Sequence, residues 1–172
     1  MKALITGASS GMGRDMAKIL SQKGYDLILV ARDEKKLEEV KKQLKTETKI
    51  VVMDISKEEN CKKIYEENKD IDILINNAGF GDCGHFEETS LDKDIQMIHT
   101  NIIAYHILTK LYLKEMIKKD SGKILNVASI AGFMPGPLMT TYYSTKNYVV
   151  RFSESIREEL RRKKSKVQIS IL

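Results

Sequence analysis

Short apolar runs alternate with longer, charged amphipathic segments from the first residue to the last, and few folds can absorb that rhythm. Residues 2–6, 25–31, 49–53, 71–76, 123–128 and 166–172 read as strands, and 11–22, 33–45, 56–68, 90–119 and 140–163 as helices. The strands are almost continuously apolar, as in Tyr25-Asp26-Leu27-Ile28-Leu29-Val30-Ala31, rather than alternating. A strand apolar on both faces must be covered on both faces, which is the condition of a parallel sheet between helical layers. The pattern predicts an α/β fold, and 172 residues suffice for one domain with a buried core. No repeat, linker or low-complexity segment interrupts it.

Composition removes several function classes. No apolar run reaches the length of a membrane-spanning helix. Met1-Lys2 leads straight into a strand and Gly7, too short an apolar stretch for an export signal, so the cytoplasm is the expected compartment. Cys61 and Cys83 are then expected as free thiols. His85, His99 and His106 stand at no metal-ligand spacing, and no metal site is expected. The net charge of +5 is concentrated in Arg157–Lys166, where six basic residues face two acidic ones. Cations at a helix C-terminus complement its dipole, and without interleaved aromatic residues the segment is not expected to bind nucleic acid.

The turn after the first strand is Thr6-Gly7-Ala8-Ser9-Ser10-Gly11-Met12-Gly13. In a strand–turn–helix setting, Gly7 suits a tight turn, Gly11 lets the backbone approach a pyrophosphate, and Gly13 lets helix and strand pack closely. The bland alternative is a simple βα turn. A carboxylate at the end of the second strand would bind the ribose hydroxyls of NAD, but Ala31 and Arg32 stand there. Arg32 either pairs with a 2′-phosphate, which favours NADP over NAD, or pairs with Asp33 or Glu34 in solvent. Arg14 reads as a surface residue.

Tyr142 and Lys146 are four residues apart on a helix and share a face. An ammonium beside a phenol favours the phenolate, so the pair can pass a proton to or from a substrate oxygen near neutral pH. Ser129, just past the fifth strand, can hydrogen-bond that oxygen, although a serine there is often only a turn residue. Pro135 and Pro137 mark a rigid loop beside it.

With these motifs in this order, the whole chain resembles the short-chain dehydrogenase/reductase family. The glycine turn matches the family's Thr-Gly-x-x-x-Gly-x-Gly, with Met12 where isoleucine is more usual. Asp54, with Ile55 beside it, matches the family's adenine-side aspartate, and Asn76-Asn77-Ala78-Gly79 matches its Asn-Asn-Ala-Gly element. Asn101, Ser129, Tyr142 and Lys146 match its catalytic tetrad in order.

The resemblance implies a Rossmann-like, doubly wound sheet of order 3-2-1-4-5-6 and an NADP-dependent interconversion of a carbonyl and an alcohol. It implies cofactor contacts from Gly7, Ser9, Ser10, Gly11, Met12, Gly13, Arg32, Asp54, Ile55, Asn77, Ala78, Gly79, Tyr142 and Lys146. Tyr142 is the implied acid–base and Ser129 positions the carbonyl. Lys146 holds the nicotinamide ribose, and Asn101 supports a proton relay through water. A small-molecule substrate and a homodimer or homotetramer through residues 92–119 and 140–163 are implied as well, with no nucleic acid and no membrane.

The sequence departs from the family at its end. The Pro-Gly element, the mobile substrate segment and the seventh strand that usually follow are absent, so residues 1–172 are expected to form an incomplete NAD(P)-binding domain. The expectation is a weak cofactor binder with low turnover, the alternative a catalytically silent nucleotide-binding remnant.

Overall fold

A computed structural model describes residues 1–172. Six strands, β1 (Lys2–Thr6), β2 (Asp26–Ala31), β3 (Thr48–Val52), β4 (Ile73–Asn76), β5 (Lys123–Asn126) and β6 (Gln168–Ile171), form one sheet of order β3-β2-β1-β4-β5-β6. Every pairing is parallel. Fold class and strand order are those expected from the sequence and its resemblance.

The register explains the apolar runs. Ile28, Leu4, Leu74, Ile124 and Ile169 stand in one row across the sheet. That row faces Ile64 of helix α3 (Glu58–Glu67), with Leu108, Tyr112 and Met116 of α5 (Ala104–Lys119) and Leu160 of α6 (Thr140–Arg162). Their neighbours Ala3, Ile5, Leu27, Leu29 and Ile75 point the other way, onto Ala17 of α1 (Gly11–Gln22) and Leu37 and Val40 of α2 (Glu34–Lys41). Each fully buried leucine-sized side chain contributes about 1.5–3 kcal/mol, which is why both faces must be covered.

Between the layers runs a buried polar chain. Asn76 Nδ2 donates to Thr109 Oγ1 at 3.0 Å and Asn126 Oδ1 at 2.9 Å, and Asn126 Nδ2 donates to Ser153 Oγ at 2.9 Å. It ties β4 and β5 to α5 and α6. Its bonds hold the last two helices on the sheet, although Asn76 Oδ1 is buried without a partner.

The helix expected over 90–119 is continuous but not uniform. It begins as α4 (Leu91–Ile98), widens into a π turn at His99–Ile103 and resumes as α5. The extra residue re-aims the side chains that follow it, and Asn101, at its centre, is fully buried. Helix α5 stops at Asp120, whose left-handed backbone (φ 46°) turns the chain toward β5. The basic end of α6 is answered only in part by its own helix. Arg161 and Arg162 reach Glu158 at 2.7 and 2.8 Å, and their hydrogen bonds, Arg161's first, hold its carboxyl down at about 2. No helix is long and apolar enough to cross a membrane.

Candidate active site

The C-terminal ends of the parallel strands open into a groove, where the carboxyl edge of such a sheet leaves room for a ligand. Its outer part, about 520 Å³, runs between Arg32, Lys36, Asp54 and Ile55 on one side and Gly7, Ser9 and Ser10 on the other. Its inner part, about 560 Å³, is walled by Gly81, Cys83, Val127, Ala128, Met139, Tyr142 and Lys146. Met12, Asn77, Gly79 and Phe80 line both parts, so the groove is continuous from Arg32 to Lys146.

The floor is a clasp between two turns. Thr6 Oγ1 accepts the backbone N–H groups of Asn77 and Ala78 at 3.0 and 3.1 Å and donates to Ile75 O at 3.4 Å. Asn77 Nδ2 donates back to the carbonyls of Thr6 and Gly7 at 3.0 and 3.2 Å. Gly7 takes φ +66°, and a Cβ at Gly13 would lie 2.3 Å from the Gly7 carbonyl oxygen, so the α1 N-terminus comes down tightly on the turn. This is a cradle with its backbone amides toward the groove, and it fits a pyrophosphate.

At the outer end, Arg32 is exposed and forms no ion pair. Asp33, the neighbouring carboxylate, instead accepts the Lys36 N–H at 3.1 Å as the cap of α2 and pairs with Lys36 Nζ at 3.5 Å. Those contacts, the backbone hydrogen bond first, hold the Asp33 carboxyl below its usual range. Arg14 pairs with Asp15 at 3.0 Å and does not line the groove. Asp54 Oδ1 accepts the Ser56 N–H at 3.0 Å, which fixes the turn after β3.

At the inner end, Lys146 is 4% exposed and donates to the Val127 carbonyl at 3.0 Å. Burial pulls its ammonium down from 10.5 to about 8. Its nitrogen lies 5.8 Å from the centre of the Tyr142 ring, and that ring packs against Gly81 across the groove. Tyr143 turns the other way and packs on Gly136, so only Tyr142 addresses the groove.

Asn101 acts here through its side chain. Its Oδ1 accepts the Phe80 N–H at 3.2 Å, while Nδ2 donates to Phe80 O at 2.9 Å and Thr145 Oγ1 at 3.0 Å. Thr145 donates in turn to the Tyr142 carbonyl at 2.7 Å. Asn101 therefore fastens the loop after β4 to the helix that carries Tyr142 and Lys146. Ser129 follows Ala128 of the groove wall but does not itself line the groove; its Oγ accepts the Ala131 N–H at 3.2 Å and caps the helical turn Ile130–Phe133.

Two groups escaped the sequence reading, and a third, Thr6, entered it only as the first residue of the glycine motif, with no role assigned. Lys36 looks like any solvated helix lysine, although its place one turn past Arg32 was a usable signal. Tyr105, four residues beyond Asn101, looks like core.

Comparisons with known proteins show the family of the chain. The family model of the short chain dehydrogenases matches residues 1–172. An uncharacterized oxidoreductase of Staphylococcus epidermidis is 34% identical over 169 residues, covering 96% of this chain and 74% of that protein. The very-long-chain 3-oxoacyl-CoA reductase of Homo sapiens is 34% identical over 177 residues, and the match covers 94% of this chain but only 55% of that one. Among solved structures, a metagenomic short-chain oxidoreductase in complex with NADP superposes with a TM-score of 0.90 at 28% identity, covering 99% of this chain and 80% of the other. A short chain dehydrogenase/reductase of Burkholderia phymatum in complex with NAD gives 0.92 at 28% identity, with 99% and 63% covered. The chain belongs to the short-chain dehydrogenase family of oxidoreductases, which bind a nicotinamide dinucleotide.

Proposed function

We propose that this chain is the cofactor-binding and catalytic portion of an NADP-dependent oxidoreductase that interconverts a carbonyl and an alcohol. The observation that carries the reading is the unbroken groove, with the unpaired Arg32 at one end and a phenol facing a buried ammonium at the other.

The division of labour follows from that layout. Ser9, Ser10, Gly11 and Met12 present the α1 N-terminus to the pyrophosphate, and Asp54 and Ile55 border the adenine. Asn77, Ala78 and Gly79 form the wall between the two parts. Arg32 meets the 2′-phosphate, and Lys36 offsets the charge of the adjacent Asp33. A nicotinamide bound at the inner end supplies the hydride chemistry, while the chain supplies position and protons.

Tyr142 exchanges a proton with the substrate oxygen at its hydroxyl. The Ser129 hydroxyl donates to that oxygen as charge develops on it. Lys146 supplies the positive charge that faces the phenol and reaches the ribose, and Asn101 keeps the loop and helix in register. The intact set favours a catalyst over a silent remnant, since binding alone has no need of it. On the loop after β5, outside the groove's lining, Phe133, Met134 and Leu138 are each about half exposed, and such a surface suits a small apolar carbonyl compound. The unpaired thiols Cys61 and Cys83 agree with the cytoplasm. Exposed Leu91 and Ile95 on α4 agree with a homodimer or homotetramer through these helices.

The test is a fluorescence titration of NADPH and NADH into the wild type and Arg32→Ala, with Tyr142→Phe as a third sample. The wild type should prefer NADPH. Arg32→Ala should lose roughly tenfold or more in NADPH affinity and nothing for NADH, the loss of one charge-assisted contact. Tyr142→Phe should bind as the wild type does while any carbonyl reduction disappears. Equal affinity for both cofactors in wild type and Arg32→Ala alike would remove the case for NADP.

A further inference from the structure

We propose that Tyr105 is a positioning residue for Lys146, the face of its buried ring holding the ammonium at the groove floor, against the Val127 carbonyl and beneath Tyr142. The functional meaning rests on the reading of Lys146 given above; the geometry does not.

Lys146 is an under-compensated cation. It is 4% exposed, makes one hydrogen bond, to Val127 O at 3.0 Å, and pairs with no carboxylate. A buried ammonium with two of its three donors unanswered should swing to solvent or give up its proton. What surrounds it instead is aromatic. Its nitrogen lies 5.6 Å from the centre of the Tyr105 ring and 5.8 Å from that of Tyr142. Both distances are inside the range at which a ring's negative face attracts a cation, and the attraction grows when water is excluded.

The two rings differ in kind. Tyr142 is on the same helix and belongs to the groove. Tyr105 comes from α5, just past the π turn, has no surface in the groove and is wholly buried. Its hydroxyl donates to the same Val127 carbonyl at 3.2 Å, so that one oxygen receives both donors and pins the ring in place. Burial first, and then the neighbouring Tyr142, pushes the Tyr105 phenol up, so it stays neutral and a donor.

The titratable groups facing Lys146 are few. Tyr105 faces it from α5 and Tyr142 from its own helix, while Asp82 and Cys83 line the same part of the groove from the loop after β4. Asp82 pairs with Lys93 at 3.5 Å. Residues 77–81 and 124–128 contain no titratable group, and Lys123 stands at the far, N-terminal end of β5.

The experiment follows the Lys146 ammonium directly, by NMR titration of the 172-residue protein labelled with ¹³C at the lysine ε carbons. Lys146→Met identifies the resonance. Tyr105→Phe keeps the ring and should leave the midpoint where it is. Tyr105→Leu removes the ring and should lower it by roughly half to one pH unit. Should Tyr105→Leu fail to fold, Tyr105→Met, unbranched, carries the same expectation. A ring-less variant that titrates like the wild type, or a Tyr105→Phe midpoint as low as that of Tyr105→Leu, overturns the proposal. NADPH titration of the same samples separates the two readings. A Lys146 that responds to Tyr105 in a protein blind to NADPH upholds this inference and removes the proposed function. A protein that binds NADPH while its Lys146 ignores Tyr105 does the reverse.

Discussion

At the outer end of the groove Arg32 and Lys36 stand in solvent, while at the inner end Lys146 is 4% exposed, with two aromatic rings about its ammonium. All three are cations lining one groove, yet water treats them differently. The outer pair is solvated, and its attraction is screened by salt. Lys146 holds its charge in a medium that opposes it, which brings its titration down to about 8, close to where proton transfer is useful. The contrast teaches that one groove can recognise with exposed charge and react with buried charge, and that only the second should weigh on the stability of the fold.

Lys146→Met tests that contrast most severely. The unfolded chain takes up the lysine proton near 10.5 and the folded one near 8, so burial costs stability fully below the lower value and not at all above the higher. At about pH 7 the variant should be more stable than the wild type by on the order of 3 kcal/mol, the gain fading as pH rises between those two values. Urea unfolding at neutral and alkaline pH measures it. Equal stability at neutral pH would mean that the ammonium is not desolvated.

Gly13→Ala comes next. Its Cβ would collide with the Gly7 carbonyl and with Asn77 Nδ2 at 2.5 Å, so the clasp must shift. A loss of about 1–3 kcal/mol in stability is expected, with dinucleotide affinity falling for NADPH and NADH alike. A selective loss for one cofactor would show that the two ends are not independent. Lys36→Met is the gentlest probe. It should weaken NADPH binding by up to about fivefold at low salt, leave NADH unchanged, and lose even that effect at high salt.

The architecture was legible because both faces of each strand are apolar, which leaves few alternatives to a covered parallel sheet. The strand ends were less so. Val127 and Ala128 still hydrogen-bond across, to Asn76 O at 2.9 Å and Leu172 O at 2.7 Å, but the chain is already leaving the sheet, and nothing in their apolar side chains marks the departure. The π turn was invisible because His99-Thr100-Asn101-Ile102-Ile103 continues the helical pattern without a proline or glycine. Tyr142 and Lys146 could be paired from spacing alone. Tyr105 could not, because a buried tyrosine in an amphipathic helix reads as packing until its distance from a cation is known.

The clasp between Thr6 and Asn77 has one more consequence. The Thr6 hydroxyl and the Asn77 amide nitrogen are fully engaged inside the protein, so the floor is already held in place and has no reason to rearrange for an incoming molecule. Association there should proceed without an ordering penalty on the host, and the amide protons of Asn77 and Ala78 should exchange with solvent slowly even in the empty protein.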